Sequence, residues 1–464
     1  MPGQCVITRK FVVAGGVYAP GHLGELTQVL DFDLVDAVVA ETGTVQRRTR
    51  LLPSRVVVYF VLALALFEHS GYRQVWAKLV AGLRVLALVT PSVSGLSRAR
   101  RRLGPAPFRA LFEAVSGVVG RPSTPGVFWR GLRTVAIDAT SLHVPNGLTG
   151  WAGSRYTNRS GKKYTFDYPL LRLSVLVECG TRAVIGAVFG PEADGEITQV
   201  RRLLDKLTAG MLVLADAGYD SWELFRDIAA TGAAYLCRSG ARRSPLILTV
   251  LSDGSYLSVF GYGRLKVRII EAWVSVTWAD GTTTSEQWRL VTNLLDHRRY
   301  PAGDLVTLYH RRWQAETTYL SIKSTILDGR VLRSQHPADL DQEIYALLTV
   351  YQAVIRIAAD ALDTHPTARP DRISFTVALQ TAADQVIAAV DIIPLGDANL
   401  GPIGQAVLAN LLDPPRGRGK ARSRHNPTSK YNINAGKFPQ TSLNYTITTN
   451  ITIMEDGLTA RQRR

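Results

Sequence analysis

The chain has 464 residues, 46% of them apolar, with 54 lysines and arginines against 38 aspartates and glutamates, a formal charge of +16. That length exceeds what one hydrophobic core serves, so two to four domains or a core with large insertions is expected. The basic balance, with a pI near 9.9, argues for a polyanionic partner and against an acidic small molecule as ligand.

Cys5, Cys179 and Cys237 are too few and too scattered for a disulfide framework or a cysteine-rich zinc site, which fits a reducing cytoplasm. The opening Met1-Pro2-Gly3-Gln4 lacks the charged n-region of a signal peptide. The longest apolar run, Val56 to Phe67, is about 12 residues against the roughly 20 of a membrane helix. It is expected as a buried helix, and no membrane is expected as a partner.

Residues from about 22 to 120 carry helix-like segments broken at Pro53, Pro91 and Gly104-Pro105. Basic clusters at Arg47, Arg48, Arg50 and Arg55, and at Arg98, Arg100, Arg101 and Arg102, read equally as solvated helix faces or as DNA contacts. From Leu132 the pattern turns to strands: Thr134 to Ile137 running into Asp138, then Leu170 to Val177 and Ala183 to Phe189. A helix over Glu196 to Leu207 and a strand over Met211 to Leu214, delivering Asp216, follow. Strands, helix, strand with carboxylates at strand ends predict an α/β core with its site at one edge of the sheet.

Between about Ser244 and Thr292 the pattern is almost wholly strand-like, with Leu246 to Leu251, Tyr256 to Phe260, Leu265 to Val276 and Trp288 to Thr292 separated by turns at Asp253-Gly254, Gly261-Tyr262-Gly263 and Asp280-Gly281. This reads as a β insertion in the core. Asp304 is suited to cap the next helix and Asp328-Gly329 to stop it. Helices are expected from Leu340 to about Leu412. The last fifty residues hold ten lysines or arginines against Glu455 and Asp456, a tail expected to be flexible until it meets a partner.

The most specific signal is Tyr309, Arg312, Glu316 and Lys323 at offsets of 0, 3, 7 and 14. At about 100° per helical residue these fall within roughly 60° of one another, on one stripe. A carboxylate able to hold a metal then sits among cations able to hold phosphate. With Asp138 and Asp216 it makes three carboxylates on separate elements, enough to hold the two divalent ions used in phosphodiester cleavage. All-oxygen ligation favours Mg²⁺, with Mn²⁺ as a substitute. Asp194, Glu196 and Asp220 lie near the same elements and rank below these three.

In these residues the chain resembles the DDE transposases of the insertion sequence 4 group, bacterial enzymes with a ribonuclease-H-like core. Their signature Tyr-x2-Arg-x3-Glu-x6-Lys is complete at Tyr309, Arg312, Glu316 and Lys323, and the two aspartate motifs match Ile137-Asp138-Ala139-Thr140 and Asp216-Ala217-Gly218-Tyr219. The resemblance implies an α/β, ribonuclease-H-like catalytic core over 130–345 with an all-β insertion over about 244–292. Around it would lie a helical DNA-binding domain over 1–125, a helical region over 346–412 and the basic tail over 413–464.

It further implies that Asp138, Asp216 and Glu316 hold two Mg²⁺ ions while Tyr309, Arg312 and Lys323 grip phosphates. The implied partners are double-stranded DNA, namely mobile-element terminal inverted repeats and target DNA, met by a homodimer in the cytoplasm and, when bound, on the nucleoid. Members that form a DNA hairpin hold a flipped base on a tryptophan of the insertion. Trp288 stands at the matching place, against a plain packing role and against Trp273 and Trp278. Arg155, Arg159, Lys162 and Lys163, interleaved with Tyr156 and Tyr164, are a phosphate-contacting loop or a solvated one. The rival functions are a non-transposing nuclease and a catalytically degenerate DNA-binding protein.

Overall fold

The run Ser54–Leu66 is a helix whose 13 residues are all buried. An apolar helix with no polar face must lie in a core or a bilayer, and this one is too short for the second. It belongs to a computed structural model that describes residues 17–19, 21–48, 50–83, 86–146, 155–157, 163–165, 168–240, 243–277, 283–365, 368–392, 400–412 and 448–454. The chain divides into one unit of Met1–Leu212 with Arg312–Leu411 and a second of Val213–Arg311 with Leu412–Arg464.

The first unit opens with helices α1 (Phe32–Glu41), α2 (Ser54–Leu66), α3 (Tyr72–Val80), α4 (Val93–Leu103) and α5 (Ala106–Val115). Strands β1 (Leu132–His143), β2 (Leu170–Glu178) and β3 (Val184–Pro191) follow, and short helix α6 (Glu196–Arg201). The strands run antiparallel in the order β3-β2-β1. The expected strand ending at Asp138 is instead a 12-residue strand with Asp138 at its middle, opposite Val175. Thr140, Ser141 and Leu142 continue the ladder because β2 offers partners as far as Leu170.

The second unit contains β4 (Met211–Ala215, in which the chain crosses from the first), α7 (Trp222–Ala230), β5 (Ala234–Arg238), β6 (Thr249–Val250), β7 (Tyr256–Phe260), β8 (Leu265–Thr277), β9 (Thr283–Thr292) and α8 (Ala302–Tyr309). Its strand order is β4-β5-β9-β8-β7-β6. Arg268, with 0% of its side chain exposed, ties this region together: it pairs with Asp253 at 2.5 Å and donates to Ser255 Oγ at 2.8 Å and the Tyr300 carbonyl at 2.6 Å. Asp253 in turn accepts the Ala302 N–H at the start of α8. Asp304 stands in the first turn of α8, behind Pro301 at the cap, where its charge favours the helix dipole without closing it.

The chain returns to the first unit with α9 (Trp313–Leu320), α10 (Pro337–Asp363), α11 (Phe375–Ala388) and α12 (Pro402–Ala409). Among the described residues α10 is the one helix long and apolar enough to cross a membrane, but 78% of its apolar window is buried inside the protein. It packs on α2, α5 and α12. Strand β10 (Thr448–Ile453), from the tail expected to be flexible, pairs antiparallel with the Ala272–Thr277 half of β8. Residues 413–447 and 455–464 of that tail lie outside the described residues.

The basic clusters divide. Arg55 pairs with Asp36 and is buried. Arg100 is 3% exposed and donates to Gln342 Oε1 at 2.8 Å, Tyr72 Oη at 2.7 Å, Ser334 Oγ at 2.7 Å and the Asp339 carbonyl at 2.5 Å. Both are neither solvated nor available to DNA. Arg47, Arg48, Arg50 and Arg102 remain exposed.

Glu68, at the end of α2, lies 2.8 Å from Arg333. Burial outweighs that cation and raises its carboxyl to about 7. A folded-state pKa above the unfolded value contributes stability below about pH 4.5 that is lost as pH rises through about 7. We expect Glu68→Gln to gain on the wild type by roughly 3 kcal/mol between those limits. Urea unfolding at each pH checks this, and a pH-independent difference rejects it.

Candidate active site

In the first unit the strand β1 turns Asp138 and Thr140 to one face, as alternate residues of a strand must. The Asp138 side chain is 14% exposed, and its Oδ2 lies 3.8 Å from Nη1 of Arg312. Arg312 Nη2 donates to Glu316 Oε1 at 2.8 Å. One guanidinium therefore draws together carboxylates from a strand and a helix. Asp138 Oδ1 accepts the Ala139 N–H at 2.9 Å, and Tyr319 Oη donates to the Asp138 carbonyl at 2.5 Å. Lys323 Nζ lies 3.2 Å from Thr140 Oγ1, and burial lowers its pKa.

The uninterrupted helical stripe expected for this motif is not observed. The chain is an α-helix to Tyr309, a 3-10 turn over His310–Arg312, α-helix α9 over Trp313–Leu320 and a π-helical turn over Ser321–Ile326. A 3-10 turn advances about 120° per residue and a π turn less than an α-helix, so the simple offset arithmetic fails at both ends. The unit boundary at Arg311 and Arg312 coincides with the 3-10 turn. The stop falls as expected at Asp328-Gly329, both with positive φ, +50° and +69°, and the Gly329 N–H returns to the Lys323 carbonyl at 2.8 Å.

In the second unit Asp216 follows β4, as expected, and its Oδ1 accepts the Gly218 N–H at 2.8 Å across a short 3-10 turn. Its carbonyl receives the Cys237 thiol at 3.1 Å. Tyr309, expected to grip phosphate, is 4% exposed and its hydroxyl donates to the Ala215 carbonyl at 3.1 Å, tying α8 to the strand that carries Asp216. Trp288 stands edge-on to Tyr309, with centroids 5.4 Å apart. Arg238 lies 5.3 Å from the Trp288 ring centroid, and the indole N–H donates to Glu286 at 2.9 Å.

Two of the three carboxylates ranked lower have other partners. Asp220 accepts from Ser239, Gly240 and Arg243 at 2.9–3.1 Å, and Glu196 is 3.8 Å from Arg172. Arg159, Lys162 and Trp278 lie outside the described residues, and Lys163 starts a three-residue strand paired with Arg155–Thr157. Sequence reasoning missed Tyr319, Thr140 and Arg238. Tyr319 carried a signal, three residues past Glu316 on the same helix face; Arg238 carried none, since only the β5–β9 pairing brings it to Trp288.

Among the described residues no group of three or more His, Cys, Asp or Glu forms a ready metal cage. The donor set nonetheless suits a hard cation: Asp138 and Glu316 offer carboxylate oxygens and already converge on a positive charge.

Residues 129–353 match the family described as Transposase DDE domain, and residues 20–113 match Insertion element 4 transposase N-terminal. These place the protein among the DDE transposases. Transposase InsG for insertion sequence element IS4, of Escherichia coli (strain K12), is 27% identical over 343 residues, 72% of this chain and 76% of that protein. Putative transposase InsZ of the same strain is 27% identical over 185 residues, 38% of this chain and 58% of that one. The chain belongs to the insertion sequence 4 family. A piggyBac transposase synaptic complex with hairpin DNA aligns with a TM-score of 0.39 at 11% identity, over 84% of this chain and 85% of that one, a likeness too loose to carry more.

Proposed function

We propose that the protein is a DNA transposase that binds the terminal inverted repeats of its element as a homodimer, cleaves them with Mg²⁺ and transfers the freed ends to target DNA. The observation that supports it most is Arg312 between Asp138 and Glu316, with Lys323 beside the same strand. We read the core as ribonuclease-H-like, with Asp138, Asp216 and Glu316 as the ligands of two Mg²⁺ ions. Bound there, Mg²⁺ supplies Lewis acidity to the scissile phosphate and lowers the pKa of an attacking water or hydroxyl.

The chain's own groups do the rest. Lys323, desolvated and without an ion-pair partner among the described residues, is poised for a phosphate oxygen, and its lowered pKa marks a charge that gains from an anion. With Asp138 and Glu316 as metal ligands, the planar fork of Arg312 beside them would suit a phosphate, a role lysine cannot copy. Tyr319 and Tyr309 hold the backbone at Asp138 and beside Asp216. Trp288, flanked by Arg238, offers a face for an unstacked base, worth roughly 1–3 kcal/mol.

Supercoiled plasmid carrying the element's two ends, incubated with Mg²⁺ or EDTA, tests the reading. Mg²⁺-dependent breaks at the ends, followed by joined products and abolished by Asp216→Asn, are expected. Breaks without joining would indicate a non-transposing nuclease; binding without breaks, a degenerate DNA-binding protein.

A further inference from the structure

The hairpin β7–β8 closes with Phe260 opposite Leu265. The chain turns through Gly261-Tyr262-Gly263-Arg264, with the Arg264 N–H donating to the Gly261 carbonyl at 3.3 Å. Both central residues have positive φ, +57° at Tyr262 and +85° at Gly263. This mirror-image turn ordinarily takes Asn, Asp or Gly at its first central position. An L-residue there brings its Cβ against its own carbonyl, and a bulky aromatic is an outlier. No contact with the described residues offsets that strain, because Tyr262 is 99% exposed.

The turn is firmly mounted. Gly261 lies so close to Trp222 that a Cβ would meet the indole at 2.4 Å, and Trp222 opens α7 six residues after Asp216. Arg264 and Lys266 follow Tyr262 at alternate positions, both exposed, and neither has an ion-pair partner among the described residues. From Val259 to Lys266 there is no carboxylate.

A strained aromatic that packs on none of the described residues, held beside two cations with no ion-pair partner among them, has the parts of a nucleic-acid contact: a ring to stack on a base, and charges for the adjoining phosphates. Strain of this kind clusters at ligand-contacting and active sites. We propose that Tyr262, Arg264 and Lys266 form a DNA-contacting tip, with Tyr262 stacking on an exposed base of the bound DNA. The proposal rests on the reading of DNA as substrate and adds a contact separate from Trp288.

The test is binding of the full chain to a fluorescent duplex carrying an element end, with and without unpaired bases, across a salt series and in EDTA. Tyr262→Gly is expected to raise the melting temperature while weakening binding at least about fivefold, with the salt slope unchanged. Tyr262→Phe should bind as the wild type does. Arg264→Ala with Lys266→Ala should lower the slope of log K against log salt by about 1 to 2. A Tyr262→Gly protein that binds like the wild type overturns the proposal, as does loss of binding that tracks a lowered melting temperature. The active-site reading fails separately: an Asp216→Asn protein that still cleaves refutes that reading, whatever Tyr262 does.

Discussion

Glu316→Gln is expected to lower end cleavage on the order of 10³-fold or more, about 4 kcal/mol of transition-state stabilisation, while DNA binding persists. Gln keeps the shape and one oxygen acceptor for Arg312, so the local fold has little reason to change. What it removes is the formal charge, the property by which a carboxylate competes for a dication against water. The stability cost is small: the Glu316 side chain is 36% exposed, and such an i, i+4 pair is worth about 0.3–0.5 kcal/mol. Gel assays of end cleavage and strand transfer, beside thermal unfolding, check this. A variant that cleaves at the wild-type rate takes Glu316 out of the proposed ligand set.

Arg100→Ala is expected to destabilise the first unit by about 3–5 kcal/mol. Truncation takes from the buried Gln342 Oε1 the donor it has in Arg100, at about 1–3 kcal/mol, takes one of two donors from the Asp339 carbonyl, which keeps the Ser334 hydroxyl at 3.0 Å, and opens a cavity besides. The four contacts join helix α4 to Tyr72, Ser334, Asp339 and Gln342, so the loss spreads across elements distant in sequence. Arg100→Met, which keeps the stem but not the donors, separates cavity from hydrogen bonds and should recover part of the loss. Urea unfolding of both variants gives the comparison. A change under about 1 kcal/mol in Arg100→Ala would mean the groups find water or new partners.

Much of the chain was legible because its signals are local. Ser54–Leu66 announces a buried helix by having no polar face. Tyr256–Phe260 falls where it was read, and Asp216 does follow a strand, since turn chemistry and apolar runs act over a few residues. Asp138 was misplaced within its strand because the ladder runs on through polar residues that only the partner strand sustains. The Tyr309 to Lys323 run looked like one helix because helical arithmetic assumes constant pitch, whereas here 3-10 and π turns flank α9.

Sequence alone determined the residue types and spacings that carry the family: the two aspartate motifs, the Tyr-Arg-Glu-Lys signature, the basic charge and the β insertion. These are chemical identities, and chemistry needs no fold to be read. Only tertiary structure decided which arginines are available to a ligand. Arg100 and Arg55 lie in clusters indistinguishable along the chain from exposed neighbours, yet they are buried against Gln342 and Asp36. It also decided that Tyr309 spends its hydroxyl on Ala215, that Arg312 bridges Asp138 and Glu316, and that Tyr262 stands free at a strained turn. Burial and partnership are set by segments far apart in sequence, whose approach depends on the summed packing of the whole unit and not on any local pattern.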